Sequence, residues 1–316
     1  IRHPLGNVVS TERKLPDGLM LYTYTATNSP RIFPEPDMPP TWTQVQNVRL
    51  STAADWREIS RWYWQLCEPR LACTTEAMTN KVNEIGRDVR ALFKFVSQEV
   101  RYMGLTMEDD SPGYAPHDVN ITFDNRYGVC RDKAGLLVAM LRIAGFRAFP
   151  VLINVGAKMD PDVPQPYFNH AIVAVEQDER DENGERSYLL MDPTNENTKD
   201  LFPAYLCSRS YLVARPDGEG LRTSPVPPPE KNSVDIVSTA RLAKDGSMVL
   251  ENTIDFTGIN DTAYRGALVR RTPELRTVFF ERVVQAVAPG AELVKCEIEP
   301  RDLRDTDVPM KVTLLS

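Results

Sequence analysis

The chain has 316 residues, 42% of them apolar, which is enough for two or three domains with their own cores. Its 44 acidic and 37 basic residues give a net charge of −7, and no Lys/Arg-rich run carries interleaved aromatics, which argues against a nucleic-acid partner. No apolar run reaches the roughly 18 residues of a membrane-spanning helix, and the five cysteines, with no CxxC pair, are too few for a disulfide scaffold and suggest no zinc site.

The chain opens at Ile1 without a Met or a charged-then-apolar leader and ends at Ser316 in mid-pattern, so a fragment of a longer protein is expected. Leu19 to Thr25 reads as a strand, followed by a Pro-rich segment to Pro40 and a second strand-like run from Val45 to Leu50. Asp55 to Leu66 reads as a helix whose Trp56, Trp62, Tyr63 and Trp64 are expected in the core, an aromatic wall over a cleft being the alternative. Cys67 and Cys73 either close a small disulfide loop or remain thiols. From Thr75 to Arg101, Val82, Ile85, Val89, Leu92, Phe93, Val96 and Val100 keep helical spacing, which predicts one long helix, the longest of the chain. Tyr102 to Phe123, with Gly104, Pro112, Gly113 and Pro116, reads as an irregular loop forming one rim of a cleft.

Arg126 to Pro150 combines a turn, one cysteine, a helix and the start of a strand. Ala134, Leu137, Val138, Leu141 and Ala144 recur at helical steps, and Gly145 stands where a left-handed cap would end the helix. Cys130 therefore falls at the helix N-terminus, where unpaired amides and the macrodipole favour a thiolate nucleophile over a thiol. A buried structural cysteine is the plainer reading. Of the three histidines, His3 sits at the terminus and His117 in a Pro/Gly loop, whereas His170 opens the strand-like run to Val175 and is the favoured base. A second strand, Tyr188 to Met191, delivers Asp192 at its end, although an Asp before Pro is also an ordinary turn former. The charged segment between the strands, Glu176 to Arg186, fails as a calcium loop: strands flank it, and Leu190 falls where the bidentate Glu is needed.

Side-chain alternation sets a condition on this trio. An unbroken ladder from a two-residue turn at Asn183-Gly184 would make paired residue numbers sum to 367, which puts His170 and Asp192 on opposite faces. A Cys130, His170 and Asp192 triad therefore requires an even sum, with a bulge or irregular loop between Glu176 and Arg186. Further on, Leu201 to Ala214 ends in a strand at Tyr211, and the Pro-rich stretch 216–232 reads as a linker. Residues 233–316 show alternating runs around an Asp245-Gly246 hairpin turn and a helical stretch near Thr272 to Val287, a second and β-rich domain with no visible chemistry.

Tyr127-Gly128-Val129-Cys130-Arg131-Asp132-Lys133-Ala134, Gly145-Phe146, Phe168-Asn169-His170-Ala171 and Met191-Asp192-Pro193-Thr194 resemble the core of the bacterial transglutaminase-like superfamily. The resemblance implies a papain-like α+β thiol fold over residues 46–215, with a helix-borne Cys130 facing a strand-borne His170 and Asp192 as a catalytic triad. It also implies that residues 1–45 are the tail of a preceding β-sandwich domain. One departure is visible: Val129 stands where the family usually carries Asp, which removes a polar contact beside the cysteine. The expected chemistry is acyl transfer from the amide of a protein or peptide, more hydrolytic than crosslinking, with neither cofactor nor metal. A periplasmic or extracellular setting follows from the same resemblance. The alternative is a non-catalytic module on this scaffold that binds protein or glycan.

Overall fold

The computed structural model describes residues 8–36, 38–39, 41–103, 113–181 and 183–316; His3, Gly104 and Pro112, named above, lie outside them. Strands β1 (Val8–Lys14) and β2 (Met20–Ala26) pair antiparallel from Val8↔Ala26 to Lys14↔Met20. Nearly every residue of this ribbon is exposed, so it has no core of its own. The strand expected over Val45–Leu50 is absent. After the short helix α1 (Thr41–Gln44), the Asn47 amide donates to Val45 O at 2.9 Å and accepts from Arg49 Nε at 3.2 Å, and Arg49 makes a single bridge rather than a strand.

Polar caps cut the next region into separate helices. Asp55 accepts the Glu58 N–H and starts α2 (Trp56–Leu71), at 16 residues the longest helix. It buries Trp56 and Tyr63 but leaves Trp62 37% exposed, so the aromatic stripe is only partly core. The single helix expected from Thr75 to Arg101 is two, α3 (Glu76–Ile85) and α4 (Val89–Glu99). Gly86 at φ +96° ends the first, and the Asp88 carboxylate, accepting the Ala91 N–H at 2.9 Å, begins the second. Their apolar residues remained in phase across this break, which hid it.

The expected 102–123 loop is also corrected. Strand β3 (Arg101–Tyr102) pairs in parallel with β4 (Tyr127–Gly128), and helix α5 (Val119–Asn125) buries Val119, Thr122 and Phe123. Helix α6 (Cys130–Ile143) follows and closes in a Schellman cap, with Phe146 N–H on Leu141 O and Gly145 N–H on Arg142 O. Leu136, Leu137, Val138, Met140 and Leu141 are all buried, so α6 is a central helix enclosed on all sides.

Strands β5 (Ala148–Ile153), β6 (His170–Arg180), β7 (Arg186–Met191), β8 (Ser210–Val213) and β9 (Arg222–Thr223) form an antiparallel sheet ordered β7-β6-β5-β8-β9. One face packs Ala148, Leu152, Ala171, Val173 and Val175 against α6 and the other helices. The opposite face carries Val151, Ile153, Ile172, Ala174 and Leu190 under Leu206 and Phe202. Strand β9 lies inside the stretch expected as linker, because Ser210↔Thr223 extends the sheet and Arg215 pairs with Glu176 at 2.7 Å.

Residues 233–316 form a second unit. Strands β10 (Val234–Leu242), β11 (Met248–Phe256), β12 (Lys295–Glu299) and β13 (Lys311–Leu315) make a sheet ordered β10-β11-β13-β12. Gly246, at φ +87°, turns the first hairpin as expected. Helix α8 (Pro273–Val287) matches the helical stretch, whereas α7 (Ile259–Leu268) was not anticipated. Phe256, Leu268, Phe280 and Val312 form the core of this unit. Within it the fully buried Arg265 satisfies its guanidinium on Asp261 at 2.6 Å and on the Leu303, Asp305 and Val308 carbonyls. No helix among the described residues is long and apolar enough to cross a membrane.

Candidate active site

Cys130 is the first residue of α6, with the extended Val129 at the N-cap. Valine offers no capping oxygen, but Asp132 in the first turn supplies one: its Oδ2 accepts the Val129 N–H at 3.0 Å. The Val129 side chain itself makes no polar contact beside the cysteine, as expected. Asp132 Oδ1 also accepts the His117 backbone N–H at 2.9 Å and lies 3.0 Å from His117 Nδ1, so one buried carboxylate ties the preceding loop to the cysteine turn. This packing leaves no room beside Gly128, where a Cβ would come within 2.6 Å of Asp132 Cβ. Gly128→Ala is expected to displace Asp132 and destabilise the protein by about 1–3 kcal/mol, read as a lowered Tm.

His170 is the first residue of β6, paired with Ile153 of β5. On its other side Val173 faces Met191 and Glu176 faces Tyr188, so paired residue numbers sum to 364, an even register. The sum changes to 366 at Arg180↔Arg186, with the irregularity between Glu176 and Arg180, inside the segment where it was anticipated. His170 and Asp192 therefore share a sheet face and sit diagonally across the strand ends, with Nε2 and Oδ2 2.9 Å apart.

Asp192 is buried and fully engaged. Tyr205 Oη donates to its Oδ2 at 2.7 Å, while Oδ1 accepts from Thr194 Oγ1 at 2.7 Å and from the Thr194 N–H at 3.0 Å. Burial alone would raise its pKa, but the bonds from His170, Thr194 and Tyr205 and the charge of His170 hold the carboxyl below its ordinary value. For His170, burial alone disfavours the charged ring. The hydrogen bonds and negative charges of Asp192 and Cys130 outweigh it and push the imidazole up to about 9.

With Nε2 on Asp192, the other ring nitrogen is the one left for Cys130. Burial favours the neutral thiol, yet the hydrogen bond and charge of His170, together with the Ala171 and Arg131 backbone N–H groups, lower the Cys130 pKa. Lowering the thiol pKa while raising the imidazole pKa brings the thiolate and imidazolium form of the pair closer to neutral pH. Behind it, Tyr63 is buried against Cys67, whose thiol burial pushes up to about 12. Cys67 and Cys73 are both free thiols, as are Cys130, Cys207 and Cys296.

The structure brings Cys130, His170 and Asp192 together. It also adds Asp132 and Thr194, which stand inside the blocks that carry the resemblance but were given no role there, and Tyr205 and Tyr102, which carried no signal in the sequence. Tyr205 lies in a short 3₁₀ turn, Ala204–Leu206, and reaches Asp192 only through the packing of Leu206 against the sheet. Among the described residues no group of three or more His, Cys, Asp or Glu side chains is arranged to hold a metal ion.

Residues 72–184 match the sequence profile of the Transglutaminase-like superfamily, a span that contains Cys130 and His170 and stops short of Asp192. A crystal structure from Parabacteroides distasonis, described as that of a "putative protease", aligns with 98% of this chain at a TM-score of 0.46 and 15% identity. The present chain spans 61% of that protein's length. A comparison with curated proteins gave no match.

Proposed function

From a chain that carries a transglutaminase-like superfamily domain over residues 72–184, we infer a cysteine enzyme that transfers the acyl group of an amide through Cys130, His170 and Asp192. The observation that carries this reading is the His170 imidazole bonded at 2.9 Å to the buried Asp192 carboxylate, with Cys130 at the first position of α6, where the neighbouring imidazole lowers the thiol pKa. A thiolate at a helix N-terminus is a nucleophile, and an imidazolium with a high pKa is a proton donor held ready for a leaving amine.

In the first half-reaction Cys130 Sγ attacks the amide carbonyl carbon, and the carbonyl π pair moves to oxygen. As that pair returns, the C–N bond breaks, His170 gives its proton to the departing nitrogen, and the acyl group stays on sulfur as a thioester. In the second half-reaction His170, now neutral, takes a proton from the incoming nucleophile, which attacks the thioester and releases Cys130. Asp192 keeps Nε2 protonated and the ring oriented throughout, with Tyr205 and Thr194 fixing the carboxylate.

Water is the acceptor we assign, because an amine competes with bulk water only where a second site concentrates and orients it. Exposed Tyr102, and exposed Tyr167 three residues before His170 in the chain, suit a protein or peptide substrate approaching along the surface. The test is to incubate the full chain with a peptide library, with and without a primary amine, using Cys130→Ser as control. Hydrolysed amides that depend on Cys130 are the expected products. Amine adducts in preference to hydrolysis would make the enzyme a crosslinker, and neither product nor Cys130-bound acyl mass would contradict the reading.

A further inference from the structure

The sheet of the second unit, ordered β10-β11-β13-β12, has two edges of opposite character. Edge strand β12 is 5 residues long and carries Lys295, Glu297 and Glu299, charges that discourage a further strand from adding to it. Strand β10 has no such protection. Its 9 residues pair with β11 from Val234↔Phe256 to Leu242↔Met248 without a bulge, include neither Lys nor Pro, and are all exposed.

The hairpin fixes which way the backbone groups of β10 point. Ala243 N–H bonds to Ser247 O at 2.8 Å and Thr257 N–H to Ser233 O at 3.0 Å, so odd-numbered residues of β10 direct their N–H and C=O groups at β11. Val234, Ile236, Ser238, Ala240 and Leu242 therefore turn theirs outward along the edge. The side chains of these five lie on the face that carries Ile254 and Phe256, the face that packs on α7 and α8. Ile236 and Leu242 are nevertheless 59% and 75% exposed, so the two helices leave this end of the apolar face uncovered.

We propose that β10 is a dimerisation edge, pairing antiparallel with β10 of a second copy of this chain about a two-fold axis at Ser238. Outward backbone groups must meet outward ones, so even-numbered residues face even-numbered ones. Paired numbers that sum to 476 engage the whole of Val234–Leu242: Val234 faces Leu242, Ile236 faces Ala240, and Ser238 faces its own counterpart, all as hydrogen-bonded pairs. Asp235 then stands opposite the partner's Arg241 in a non-hydrogen-bonded pair, where side chains approach most closely, and the two-fold repeats the contact at the other end. Sums of 474 or 478 set Asp235 against Thr239 or Ala243 and leave an end residue unpaired. The strand is thus complementary to itself in charge and in apolar pattern, which is why the occupant is a second copy. Pairing joins two four-stranded sheets into one and brings the exposed apolar side chains of β10 together across the seam.

This inference is independent of the chemistry proposed for Cys130, and its test is the sedimentation of the full chain over a range of concentrations. The wild type is expected in a monomer–dimer equilibrium. Asp235→Arg or Arg241→Asp sets like charges opposite each other twice across the seam, and each is expected to weaken dimerisation about 30-fold, with the double substitution restoring it. Both positions are exposed, so circular dichroism is expected to be unchanged. Under mild oxidation Ser238→Cys is expected to form a disulfide between the two copies of position 238, mapped by mass spectrometry, because Cα atoms of a hydrogen-bonded pair stand about 5.5 Å apart. A monomeric wild type, its edge left for a strand of another protein, would overturn the proposal, as would a dimer that neither single substitution weakens. A double variant as weak as the single ones, or no disulfide at position 238, would overturn the pairing about Ser238.

Discussion

His170→Ala is expected to lower kcat for amide hydrolysis by on the order of 10⁴-fold while leaving a folded protein. Two losses combine in that figure. The leaving amine has no proton donor, and Cys130 loses the hydrogen bond and positive charge that bring its pKa down against burial. With only the Ala171 and Arg131 N–H groups left to favour the thiolate, burial dominates and the nucleophile is mostly protonated at neutral pH. Asp192 keeps its bonds from Thr194 and Tyr205, so the carboxylate is not abandoned and the strand ends hold their register. Turnover by the variant, with circular dichroism to confirm the fold, measures the effect.

Replacing Asp192 strikes the fold as well as the chemistry. Asp192→Ala strips an acceptor from His170, Tyr205, the Thr194 hydroxyl and the Thr194 N–H in a buried site, and is expected to cost about 3–5 kcal/mol, seen as a large fall in Tm. Asp192→Asn keeps the shape and removes the charge, so its main expected effect is on kcat, by on the order of 10³–10⁴-fold. The stability deficit of Asp192→Ala has a pH signature. His170 is raised in the folded state from its ordinary 6.5 to about 9, so its contribution is full below about 6.5 and fades as pH rises through 9. Asp192 is depressed below its ordinary 3.8, so its contribution is full above that value and is lost in acid. Denaturation across pH is therefore expected to show the largest gap from wild type near pH 5 to 6, with the gap narrowing toward pH 9.

The residues of this trio were legible because each stands at a boundary the sequence marks. Cys130 precedes a helical apolar pattern, His170 opens an apolar run, and Asp192 closes one before proline. The parity condition on the β6–β7 ladder needed only side-chain alternation, and the 364 register meets it. What stayed hidden depends on tertiary contacts. Tyr102 and Tyr205 reach the site from a two-residue strand and a 3₁₀ turn, elements too short to leave a periodic signal.

The helix break at Gly86 and Asp88 was written in ordinary cap residues, but apolar positions that continued in phase outweighed them. Helix α5 was missed because Val119, Thr122 and Phe123 make a single buried face beside Gly113 and Pro116. Strand β1 has the polar sequence VVSTERK and no buried face to give it an alternating pattern. Residues 216–223 read as linker because their ion pairs with the sheet, such as Glu219 with Arg186, leave no trace in a composition.

The proposed chemistry requires a Cys130 pKa lowered by His170. The most direct measurement is the rate of iodoacetamide alkylation of Cys130 against pH, followed by mass spectrometry in the wild type and in His170→Ala. The wild type is expected to react below the pH at which an ordinary thiol ionises, with a second change near pH 9 as the imidazolium loses its proton, and His170→Ala only at higher pH. A wild-type profile that rises in one step at or above the pKa of an ordinary thiol, unchanged by His170→Ala, would contradict it.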